Sequence, residues 1–128
     1  MGAAIHILVP LPELDPNPDR AQVVRLLKEA RQKIDGGDYE GSLSNSRKAL
    51  ELLRTLLSTV LPLPSSVKNR NILQRTYSVV DSLFQLASAS QHVDGATKDY
   101  SPIRSDAVAV VGATASLAQQ VFTQLNRN

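Results

Sequence analysis

From position 19 onward, apolar residues recur at intervals of three and four, the spacing of a helix with one buried face. Val23, Leu27, Ala30 and Ile34 form the first such stripe, widened by Val24 and Leu26. Asn17-Pro18 ahead of it offers an N-cap followed by proline at the first helical position. Gly36-Gly37 ends the stretch as a C-terminal glycine does, and Asp38 can cap the next helix at once. The spacing therefore predicts a tight αα-hairpin. In the second helix Tyr39, Leu43, Ser46, Leu50, Leu53, Leu57 and Val60 keep the same rhythm. Ala49, Leu52 and Leu56 flank that stripe, so this helix is expected at the centre of the fold. The proline-bearing stretch 61–66 breaks it.

A third helix is predicted over residues 68–89. Leu73, Tyr77, Val80, Phe84 and Ala87 make one stripe, and Ile72, Val79, Leu83 and Leu86 an adjacent one. Residues 90–104 hold Gly95 and Pro102 with mixed charges and read as a loop. Ser105 is the expected cap of the last helix. There Ala107, Val111, Thr114, Ala118, Val121 and Leu125 face one way, with Val108, Val110, Leu117 and Phe122 beside them. Its alanines and Gly112 imply close helix contact. The fold class that follows is all-α: a four-helix antiparallel up-down bundle over residues 19–128.

Residues 1–18 follow a different pattern. Ile5-His6-Ile7-Leu8-Val9 is a short β-prone run, followed by Pro10, Pro12, Pro16 and Pro18. Proline fixes φ and removes a donor, so this part reads as an extended junction or linker. A lone strand in a helical protein needs a partner edge, in another domain or another copy. The alternative is an unstructured terminus.

Composition narrows the chemistry. A chain of 128 residues suits one domain. Cysteine is absent, which excludes disulfides, thiolate metal sites and a cysteine nucleophile. Fourteen basic residues against twelve acidic ones leave a formal charge of +2, close to balance. No apolar run reaches the length of a membrane span, and the start lacks the basic region of a signal peptide. A cytoplasmic protein without cofactor or metal is expected.

Gly36-Gly37-Asp38-Tyr39-Glu40 and Lys48-Ala49-Leu50-Glu51-Leu52 also fit one tetratricopeptide-like unit. No second unit follows, and repeat arrays need several to bury their faces. The run Ile34 to Ser42, then Ser46-Arg47-Lys48-Ala49-Leu50-Glu51-Leu52-Leu53, resembles the opening of HEPN-like helical domains. It is closest in look to the abortive-infection C-terminal branch of bacterial defence and toxin systems. Leu86-Ala87-Ser88-Ala89-Ser90, Gln91-His92-Val93-Asp94-Gly95 and the opening Ser105-Asp106-Ala107 continue the likeness, which spans residues 19–126. The resemblance implies a bundle that often dimerises. Its catalytic members cut RNA with an arginine and a histidine four to six residues later. His92 matches that histidine, but positions 86–88 are Leu86, Ala87 and Ser88, so the arginine is missing.

His92 with Asp94 and Asp99 is the weak catalytic or metal candidate, against a histidine that simply bonds loop backbone. Arg47, Arg54, Arg70 and Arg75 are the candidates for meeting nucleic-acid phosphate, with Arg104 as a further arginine for His92. No aromatic residues interleave to stack bases. Leu52, Leu56, Val110 and Leu117 are the expected interface, because helices two and four carry more apolar residues than one small core can cover. The function expected is a non-catalytic interaction or dimerisation module, a homodimer or a partner of a fused domain. It would be an accessory domain of a larger bacterial, defence- or toxin-related protein. The alternative is an RNA-binding or ribonuclease domain.

Overall fold

The computed structural model describes residues 17–91 and 95–127. The expected N-terminal strand, His6, and the core of the 90–104 loop at residues 92–94 lie outside them. Among the described residues the protein is all-helical: α1 (Pro18–Asp35), α2 (Tyr39–Leu56), α3 (Ile72–Ala87) and α4 (Arg104–Asn126).

The first hairpin forms as its residues dictate. The Asn17 side chain accepts the Asp19 and Arg20 backbone N–H groups, and Pro18 occupies the first turn, where no donor is needed. At the other end Gly37 has φ 79°, the left-handed region that favours glycine. The Asp38 N–H reaches the Lys33 carbonyl at 2.8 Å and the Gly37 N–H reaches that of Ile34 at 3.0 Å. This is a Schellman closure, which satisfies carbonyls the helix end would leave orphaned. Asp38 then turns from stop to start: its carboxylate accepts the Gly41 N–H at 2.9 Å. A side chain at position 41 would collide with that carboxylate, so glycine suits the place.

Four boundaries differ from expectation, among them the end of α3, which comes at Ala87 rather than residue 89. The second helix ends at Leu56, and Ser58–Val60 form a separate 3₁₀ turn. Both helix types bring residues three apart together, so the apolar spacing carried on past the true end. The third helix starts at Ile72, four residues late, because Val67–Asn69 form their own 3₁₀ turn. Asn71 caps it, exchanging hydrogen bonds with Gln74 at 2.8 and 2.9 Å. The last helix starts at Arg104, with Ser105 inside its first turn. Ile103 has no side-chain acceptor; instead the Asp106 carboxylate accepts the Ile103 N–H at 2.9 Å.

The main core joins Val23, Val24 and Leu27 of α1 to Leu43, Leu50 and Leu53 of α2, with Val80 and Phe84 of α3 and Val121 of α4. A smaller cluster lies at the far end of α1, where Ala30 and Ile34 meet Ala107 and Val111 of α4. Near the start of α1, Arg20 donates to Asn126 at 2.7 Å and lies over the Phe122 ring. The helix α2 touches α1, α3 and α4, whereas α3 touches α2 and α4. Ser42 and Ser46, fully buried and small, let α2 lie close to its neighbours. Asn45 ties α2 to α1, donating to the Leu26 carbonyl and accepting from the Lys33 ammonium.

Candidate functional site

Of the arginines singled out from the sequence, Arg47, Arg54 and Arg70 serve the fold. Arg54 pairs with Asp81 at 2.8 Å, and its guanidinium lies 3.8 Å from the centre of the Phe84 ring. Arg47, seven residues earlier on the same face of α2, lies 5.0 Å from that ring and donates to Ser88 at 3.0 Å. Together they fasten α3 to α2 through cation–π contacts and one ion pair. Arg70 donates to the Pro64 carbonyl at 2.7 Å and to Ser78 at 3.0 Å, holding the connection against α3. Arg75 donates to the Arg70 carbonyl and is exposed. The charges that looked like a phosphate face are thus spent mostly on helix packing.

His92 and Asp94 lie outside the described residues; Asp99 is exposed. Among the described residues no group of three or more His, Cys, Asp or Glu side chains could hold a metal ion. Tyr100 is near the start of α4. Partial burial and then a hydrogen bond to the Asp106 carboxylate push its phenol above the ordinary value near 10.

The residues expected at the interface sit in or against the core. Val110 is 3% exposed and belongs to the core. Leu52, Leu56 and Leu117 are half-buried and pack against that core rather than standing free. The uncovered apolar surface lies elsewhere. Ile72, Val79 and Leu86 of α3 are 65%, 53% and 57% exposed. They are seven residues apart, so two helical turns return each one to the same side. Leu83 sits half-buried at the edge of the same side. The α3 helix buries Val80, Phe84 and Ala87 and leaves the neighbouring apolar row outside.

The ridge has a polar end. A cleft of about 280 Å³ opens between the start of α3 and the end of α4, lined by Asn71, Ile72, Leu73, Gln124 and Arg127. Gln124 is 6% exposed and donates to Thr76 at 3.3 Å. Its carbonyl oxygen is buried with no hydrogen-bond partner. Buried acceptors are seldom left so, because the lost water contact is costly.

Charge around the ridge has one sign. The carboxylates of α3 and α4 are Asp81 and Asp106, the first held by Arg54 and the second by the Ile103 N–H. Arg75 and Arg127 have no acidic partner among the described residues. The site therefore offers an apolar strip edged by cationic groups. Compared with known proteins, the chain matches no family model, no curated protein and no solved structure. No helix among the described residues is long and apolar enough to cross a membrane.

Proposed function

We propose that this chain is a non-catalytic helical interaction module that associates through the α3 ridge. The observation that carries the reading is the exposed row Ile72, Val79, Leu86. Single exposed apolar residues are ordinary, but a row along one helix face marks a contact surface. Seven-residue spacing is the seam by which one helix receives another. The exposed side of α3 also carries a single charge, Arg75, and the cores of interfaces are poor in charge.

In this reading the helices run up and down as an antiparallel bundle of HEPN-like type. The domain is cytoplasmic, an accessory part of a larger bacterial defence- or toxin-related protein, and its partner is a second copy. The likeness of residues 19–126 to that family and its habit of dimerising support this. The RNA alternative calls for guanidinium groups available to phosphate, and Arg47, Arg54 and Arg70 are engaged within the fold.

Sedimentation equilibrium over a concentration series tests the proposal. The full chain is expected to self-associate, and Val79→Glu or Leu86→Glu to abolish association while leaving the helical signal intact. Wild type that stays monomeric to its solubility limit, or charged variants that associate as wild type does, would overturn it.

A further inference from the structure

The face that α3 leaves uncovered is its own complement under a two-fold rotation. We propose that two copies of the chain pair α3 against α3 in antiparallel sense, about a two-fold axis at Val79, and that Arg75 selects that sense. The inference rests on the reading of α3 as the docking face and adds the geometry of the pair.

The row supplies the symmetry. Ile72 stands seven residues before Val79 and Leu86 seven after it, each about 10 Å away at the helical rise. A two-fold pair uses the same patch on both copies, so the patch must match itself. Reversing the helix about Val79 lays the row on itself: Val79 meets Val79, and Ile72 meets Leu86 of the second copy. A parallel pair would also set apolar on apolar, so the row alone does not choose the sense.

Charge chooses it. Arg75 is exposed and lies about 40° around the helix from Val79, beside the row. Its Nε donates to the Arg70 carbonyl at 3.0 Å, which holds the guanidinium near the start of α3. A parallel pair would set the two Arg75 at one height, across axes about 8–10 Å apart. The antiparallel pair sets them eight residues apart along the axis, about 12 Å. That exceeds the screening length of about 8 Å in physiological salt. Arg127 lines the cleft with Ile72, so its charge lies at the same end of the row. Parallel pairing would gather four cations at one end; antiparallel pairing divides them two and two. The other end can receive them, because α3 carries no charge past Asp81, and Asp81 is held by Arg54. The α4 helix packs on α3 and has no charged residue from Ala107 to Asn126. Neither helix therefore offers a carboxylate there to offset facing cations. The antiparallel sense also sets each helix start beside the other's end, where the dipoles attract.

The chain has no cysteine, so single cysteines report the pairing directly. Full-length Ile72→Cys and Leu86→Cys chains are mixed in equal amounts, oxidised mildly and read by intact mass. The mixed dimer is expected to exceed either like-with-like dimer by about tenfold. Adding Arg75→Ala to both chains is expected to raise the like-with-like share about threefold, and no rise removes the role of Arg75. Ser82 gives a second readout. It is exposed on the same flank and comes level with position 76 of the second copy, one residue from that copy's Arg75. Ser82→Glu is expected to tighten self-association about threefold at low salt, through two new ion pairs per dimer. In a parallel pair the new carboxylates would stand level with each other, so unchanged or weaker association overturns the antiparallel sense. The two readings fail separately. Wild type that stays monomeric in sedimentation removes the docking face and the pairing with it. Wild type that associates, while the mixed dimer is absent or does not exceed the others, overturns the antiparallel sense and keeps the face.

Discussion

The helices α2 and α3 are built from the same kind of pattern and end in different situations. Both carry a main apolar stripe and a second one beside it. In α2 both are absorbed: Leu43, Leu50 and Leu53 are buried, and Leu52 and Leu56 pack against the same core. In α3 the main stripe is absorbed and the row Ile72, Val79, Leu86 is not. The difference lies in neighbours. The α2 helix has three helices around it and α3 has two. An apolar face is satisfied only if another element arrives to cover it, and α3 lacks one on that side.

The sharpest way to break this contrast is to truncate one leucine in each helix. Leu50→Ala should cost roughly 2–5 kcal/mol, since it removes fully buried methyls and leaves a cavity. Leu86→Ala should change monomer stability by no more than about 0.5 kcal/mol, as a surface site does. Urea unfolding at low protein concentration measures both. Similar losses at the two positions would mean the ridge is already part of the core.

The clamp between the two helices comes next. Arg54→Ala removes a half-exposed ion pair and a guanidinium stacked on Phe84, and should cost roughly 1–2 kcal/mol. Asp81→Asn, which keeps the ring contact, should cost less. Equal losses would show that the ion pair, not the stacking, holds α3. A comparable effect is expected in the first hairpin. Gly37→Ala meets no steric obstacle but must hold a left-handed backbone, at a cost of roughly 1–2 kcal/mol.

The smallest effect concerns the start of α4. A raised Tyr100 pKa means that its contribution to stability is present below the unfolded value near 10. That contribution is lost as pH climbs through the higher folded value. Tyr100→Phe should remove an upward-shifted phenolate step from an ultraviolet titration and leave neutral-pH stability almost unchanged. A titration curve that keeps that step would assign it to another tyrosine.

Legibility in the sequence follows the range of the forces involved. The first hairpin was readable because Asn17-Pro18, Gly36-Gly37 and Asp38 act on their own neighbours. The start of α3 carries a signal of the same short range, the capping pair of Asn71 with Gln74, although the apolar spacing alone places that start four residues early. The fates of Val110 and Val79 were not readable. Each belongs to a secondary stripe at helical spacing, and only the packing of α3 beside α4 buries one and leaves the other out. The arginines show the same limit. Their number is plain in the sequence, but Phe84, Asp81 and Ser88 become partners of Arg47 and Arg54 only when α3 folds onto α2.

The most direct measurement pairs association with stability for one substitution. Val79→Glu and wild type are compared by sedimentation equilibrium and by urea unfolding of the same samples. The expected result is that Val79→Glu loses self-association while the unfolding midpoint at low concentration stays where it was. Association that survives, or a midpoint that falls as it would for a core residue, would contradict the account of α3 as a docking face.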